Sequence, residues 1–171
     1  MCCLPVVRRT KTRGVRQVLS SLAEVRAAVV EVTGLANRTL SIFTHDLEPQ
    51  IFDHDDFLET LKRFVLARTF ARVRVLVVDP TRVITTSSRF VNMGRRLNSY
   101  IEFRNAKIAH EAHPEAFCIA DEQALVYRPH ADRWEGMSDT YEPAVARIYL
   151  TAFEALWNAA EIEPELRRLQ L

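Results

Sequence analysis

The chain has 171 residues, enough for one domain with a real core and too few for two of ordinary size. Hydrophobic residues make up 48% and charged residues 26%, which excludes a disordered or collagen-like chain, and a formal net charge of +1 excludes a uniformly basic protein that coats nucleic acid. Cys2, Cys3 and Cys118 form neither a disulfide framework nor a CxxC metal pair, so a reducing, cytoplasmic setting is expected. No apolar run approaches the ~20 residues of a membrane helix, and the start lacks the apolar stretch of a signal peptide, so no membrane contact is expected.

Residues 1–19 carry Arg8, Arg9, Lys11, Arg13 and Arg16 with few apolar neighbours and read as a flexible basic arm. Such a cluster could touch phosphates. It lacks the interleaved aromatics of a nucleic-acid platform, so a solvated terminus without a partner is the plainer reading. A single α/β domain is expected over 20–171.

Ser21 and Glu24 make an S-x-x-E capping box, and Leu22, Val25, Val29, Val32 and Leu35 recur at helical spacing, which predicts a helix over 22–36. A short strand follows at 39–43. It runs into a polar loop, Thr44-His45-Asp46-Leu47-Glu48-Pro49, where Pro49 forbids a continuing helix or central strand. Asp53, Asp55 and Asp56 suit the positive end of a helix carried on by Phe57, Leu58, Leu61, Phe64 and Val65. The β-branched run at 73–78 predicts a strand buried on both faces. Strand, helix and strand in this order imply a right-handed crossover with parallel strands, so His45, Asp46 and Asp79 should share one sheet edge.

A helix is predicted over 88–97, weakened at Gly94 by about 1 kcal/mol, and a strand over 100–103. A connector with His110 and His113 leads into 116–128, two apolar strands joined by an acidic turn at Asp121. Cys118 in the first of them reads as a buried thiol. Residues 129–139 read as a polar loop displaying His130, Arg133 and Trp134 just beyond Arg128, and loops that show aromatics and cations on a rigid scaffold are often binding surfaces. The last helix, 142–160, carries Val145, Ile148, Tyr149, Ala152, Phe153, Leu156 and Trp157 in a wide stripe that reads as core. The remaining tail reads as a partly ordered extension.

This succession of elements resembles one half of a phospholipase D-type domain. The resemblance implies a single half-domain with a mixed, largely parallel β-sheet flanked by helices on both faces. In that superfamily the late hairpin opens with HxKxxxxD, in which His attacks phosphorus and Lys holds the phosphoryl oxygens. Setting Asp121 on the motif's Asp puts Pro114 at the His and Ala116 at the Lys; shifting by one recovers His113 but sets Glu115 at the Lys and Ala120 at the Asp. Neither register supplies both the imidazole and the cation that a phosphohistidine route needs. The G-S-x-N that usually follows is unmatched, with Arg128, Pro129 and Ala131 standing there. Residues 40–49, 75–80, 116–129 and 142–171 more closely resemble an uncharacterised bacterial domain of this catalytically degenerate kind, often encoded behind an acetyltransferase domain. An acetyltransferase or other protein is therefore an implied partner.

Three readings stay open. In the first, the chain is a non-catalytic binding or regulatory module whose ligand lies over the C-terminal edge of the parallel strands. Arg128, His130 and Arg133 would meet a phosphate-bearing or other anionic group, nucleic acid included, with Asp46 and Asp79 fixing those cations or a polar part of the ligand. Asp46 and Asp79 read equally well as loop caps paired with nearby arginines, and Arg128 and Arg133 as ion-pair residues. In the second, a displaced hydrolase site reuses His113 or His130, or a metal on His45, Asp46, Asp53 and His54, although that spacing matches no HExxH signature. In the third, the half-domain pairs with itself as a homodimeric assembly module. No cofactor and no metal is expected.

Overall fold

The computed structural model describes residues 13–85 and 88–167, so Arg8, Arg9 and Lys11 of the expected arm lie outside the described residues. The end of that arm is a strand instead. β1 (Arg16–Leu19) pairs antiparallel with a strand late in the chain, Leu19 is buried, and Arg16 reaches Asp139 at 3.1 Å and Glu142 at 3.0 Å. Three of its four residues are exposed, so no alternation marks it in the sequence.

α1 (Leu22–Leu35) opens on the expected capping box: Ser21 Oγ accepts the Glu24 N–H at 3.3 Å, and the Glu24 carboxylate accepts the Ser21 N–H at 3.1 Å. After β2 (Thr39–Thr44), Pro49 starts a single helical turn, α2 (Pro49–Phe52), where its missing N–H leaves no bond unmade. α3 (Asp55–Ala67) therefore begins later than Asp53. The Asp53 carboxylate instead accepts the Phe90 N–H at 2.9 Å and the Ser88 hydroxyl at 3.0 Å. β3 (Arg72–Val77), the short α4 (Thr81–Thr85), α5 (Arg89–Arg96) and β4 (Ile101–Asn105) follow. Gly94 has a packing reason: a Cβ there would meet Phe103 Cε2 at 2.3 Å.

A 3-10 turn at His110–Ala112 leads to the hairpin β5 (Ala116–Ala120) and β6 (Ala124–Arg128). The loop expected over 129–139 is shorter than expected, because β7 (Gly136–Asp139) returns to pair with β6. Then come α6 (Pro143–Ala159), β8 (Glu161–Ile162) and α7 (Pro164–Arg167), the last burying Leu166.

The strands form one sheet in the order β1-β7-β6-β5-β2-β3-β4-β8. Among the described residues only β2–β3 and β3–β4 are parallel, so the expected largely parallel sheet is corrected to a mostly antiparallel one with a parallel centre. Short links explain the difference, since only a long crossover lets neighbouring strands run parallel, and both the β5–β6 turn and the β6–β7 link are short.

Helices cover both faces. On one, Phe52, Phe57, Phe90 and Phe103 meet edge to face or stacked, with the Phe57–Phe90 and Phe90–Phe103 centroids each 5.3 Å apart, beneath α1, α3 and α5. On the other, Phe153 and Trp157 of α6 pack onto Phe43 and Phe117 of the sheet, and the guanidiniums of Arg74 and Arg104 lie over Phe153 and Trp157 at 5.1 and 4.3 Å. Of the α6 stripe expected as core, Phe153 and Trp157 are buried and Val145, Tyr149 and Leu156 pack half-buried against the same cluster, whereas Ile148 is 67% exposed. The two arginine stems fill space that a broader helix contact would have taken. Among the described residues no helix is long and apolar enough to cross a membrane.

Candidate functional site

The ends of β2, β3, β4 and β6 and the start of β5 share one edge of the sheet, and the predicted gathering of His45, Asp46 and Asp79 there is observed, with the Asp79 N–H donating to His45 O at 2.7 Å. Above this edge lies an open cleft of about 640 Å³, walled by Asp46, Glu48, Arg82, Ser88, Asp132 and Trp134. Leu47 and Glu48 reach it through backbone with positive φ, 59° and 26°, an unfavourable conformation for side chains of this kind. The strained turn points the Glu48 carboxylate inward.

Arg128 is the interior partner of Glu48. It is buried, ion-paired to Glu48 Oε1, and donates to the carbonyls of Ala131 at 3.0 Å and Arg133 at 2.8 Å, with its guanidinium 5.4 Å from the Trp134 ring. Thr44 Oγ1 donates to the other Glu48 oxygen at 3.3 Å. Burial lifts the Glu48 carboxyl above the usual carboxylate range, against the pull of Arg128. Arg128 thus stands inside the fold, tying the 129–135 loop to the β2 loop, rather than at the surface where the sequence reading put it.

The other predicted site residues scatter around the cleft. Asp46 bonds the Glu48 N–H at 3.2 Å and Arg82 at 3.4 Å. Asp79 caps the next loop by accepting the Thr81 N–H at 3.0 Å. His130 and Arg133 are exposed on the loop that supplies Asp132 and Trp134. The residues missed in the sequence are Glu48, Arg82 and Asp132. Only the Glu48-Pro49 pair gave a local cue, because the pairing of Glu48 with Arg128 depends on the β2–β5–β6 neighbourhood.

On the opposite side of the end of β2, the His45 Nε2–H donates to the His113 carbonyl at 2.8 Å, and His113 Nδ1 lies 3.0 Å from Glu115. Among the described residues no three His, Cys, Asp or Glu side chains gather as metal ligands. Asp53 caps α5, and His54 lies at the α3 N-cap without a side-chain cap bond. Cys118 is fully interior, its thiol pushed up to about 12 by burial.

Asp121 works at the other end of the hairpin. Its carboxylate accepts the N–H groups of Asn37, Arg38 and Thr39 at 2.5, 2.7 and 2.9 Å, locking the start of β2. Asp121 and Glu122 both have positive φ, as a tight hairpin turn demands. At the cleft end of the same strand, Ala116 is buried and directly opposite Arg128.

Residues 21–169 match the family described as Domain of unknown function (DUF7931). The chain belongs to this family. No curated protein matches it. Among solved structures, this DUF7931 chain is similar to Nuc from Salmonella typhimurium, a phospholipase D family member, at 16% identity and TM-score 0.61, covering 88% of this chain and 98% of that one. NucT from Helicobacter pylori is similar at 11% identity and TM-score 0.62, with 88% and 99% covered. TrmBL2, an archaeal chromatin protein described with a novel mode of DNA binding, is similar at 12% identity and TM-score 0.63; 95% of this chain is covered but only 57% of TrmBL2, so the chain spans little more than half its length. At these identities the likeness shows the fold, which is phospholipase D-like.

Proposed function

We propose that the chain is a non-catalytic binding domain on a phospholipase D-like fold, with its ligand in the cleft at the β2–β3 edge. One observation carries this reading. Where the superfamily motif would set a lysine stands buried Ala116, and Arg128, the cation opposite it, is neutralised by Glu48. A phosphoryl group arriving there would find neither a nucleophilic imidazole nor an unpaired charge. The ligand class that fits best carries an anionic group for exposed Arg133 and His130 on the loop beside the mouth, reaching Arg82, which Asp46 also holds, and a flat apolar part for Trp134. Nucleic acid belongs to that class, and TrmBL2, on a similar fold, binds DNA. Asp46 and Asp79 would hold the loops rather than the ligand.

The test is titration with inorganic pyrophosphate and with a short single-stranded DNA at several salt concentrations. Affinity should fall with salt and disappear in Arg82→Ala combined with Arg133→Ala, while Arg63→Ala, exposed on α3 and outside the cleft, should bind as the parent does. Equal binding by all three proteins would remove the cleft.

A second reading rests on the His113–Glu115 pair. A carboxylate holding Nδ1–H would leave Nε2 as a base, as in a displaced phosphodiesterase. Turnover of bis(p-nitrophenyl) phosphate that vanishes in His113→Ala would replace the non-catalytic reading. Absence of turnover would leave the binding domain.

A further inference from the structure

α6, 17 residues long, turns an uncharged face outward: Ala144, Ile148, Thr151 and Ala155 are exposed, and Val145 and Ala152 are half-buried beside them. Surface helices ordinarily turn charged and polar side chains to water. The charged residues of this helix, Arg147 and Glu154, lie along one flank, seven residues and about 10 Å apart.

We propose that this face is the contact for a second copy of the chain, the two α6 helices crossing antiparallel about a two-fold axis near Thr151. Charge and size complementarity choose that occupant. A two-fold perpendicular to the plane of the two helices keeps their flank residues on the same side, so Arg147 of each copy meets Glu154 of the other, and the contact is made twice. The same rotation brings exposed Ile148 against Ala155 of the second copy, large beside small, which suits close helix packing. A parallel pairing, about a two-fold along the helices, would carry the two flanks to opposite sides, so Arg147 of one copy would meet no Glu154 of the other. Glu154 already receives Arg74 at 2.6 Å, but its side chain is 47% exposed and open to a second guanidinium. This inference is independent of the cleft, whose walls lie on other elements.

Sedimentation equilibrium of the full chain tests it. The parent should associate to a dimer as concentration rises. Ile148→Glu and Arg147→Glu should each be monomeric while keeping the parent's circular dichroism and urea midpoint, since both side chains are exposed. Mixing Arg147→Glu with Glu154→Arg should restore a heterodimer at least about tenfold tighter than either variant with itself, because the mixed pair makes two attractive contacts where each homodimer makes two repulsive ones. A parent that stays monomeric, a dimer indifferent to both substitutions, or a mixture that gains nothing would each overturn the proposal.

Discussion

Across one face of the sheet, Phe90 is ringed by Phe52, Phe57 and Phe103 under three helices, whereas across the other Phe153 stacks on Trp157 with Arg74 lying over it and α6 as cover. Around Phe90 the first face is closed by apolar side chains, with the buried Glu48–Arg128 pair at its cleft end. The second depends on where two cations come to rest. Arg74 is held by Glu154, and Arg104 by Glu102 at 2.7 Å and by the Trp157 carbonyl at 2.9 Å, so this face joins its packing to an electrostatic network. Apolar closure is strong and indifferent to ionic strength, while closure through cations over rings is weaker per contact and specifies position.

The largest effect expected from breaking this contrast is Phe90→Ala, about 4 kcal/mol in urea unfolding, against about 3 kcal/mol for Phe153→Ala, whose cavity lies next to side chains that can relax into it. Equal losses would erase the asymmetry between the faces. Arg128→Ala should cost about 3 kcal/mol, because it strands a buried carboxylate, while Arg128→Ala with Glu48→Gln should recover part of that loss; a single-variant loss below about 1 kcal/mol would show the pair to be dispensable. Asp121→Ala should cost about 2 kcal/mol by releasing three backbone N–H groups at the start of β2, and hydrogen exchange of Arg38 and Thr39 should quicken with it. Arg104→Met, which keeps the stem and removes the charge over Trp157, should cost about 1 kcal/mol.

The smallest effect is a pH dependence. The native Glu48 carboxyl is raised, so the folded state binds that proton more tightly than the unfolded one. Its contribution is fully present below the ordinary carboxylate range and is lost as pH rises through the raised native value. The parent's unfolding free energy, measured relative to Glu48→Gln, should therefore decline with rising pH across that window. A constant difference would mean that burial does not dominate at Glu48.

Much of the fold was legible because its signals are local. The capping box of Ser21 and Glu24, the β-branched run of β3 and the acidic turn at Asp121 each report the conformation of their own neighbourhood. β1 and β7 were not legible, since both are short strands whose bonds go to distant partners. The site was legible only as a neighbourhood. His45, Asp46 and Asp79 do gather at one edge, because parallel strands carry their C-terminal loops to the same side. The place of Arg128 was missed, since an arginine before a polar loop looks exposed until its strand is known to lie opposite Ala116 and near the β2 loop.

By itself, the sequence determined the long helices, the central strands and that β2 and β3 run parallel, because propensity, periodicity and crossover handedness act over short distances. Only the tertiary structure decided which cation faces water and which face of α6 is left open. Those outcomes depend on the distance between groups far apart in the chain, such as Arg128 and Glu48 or Arg74 and Phe153, and on the burial that sets the strength of their fields.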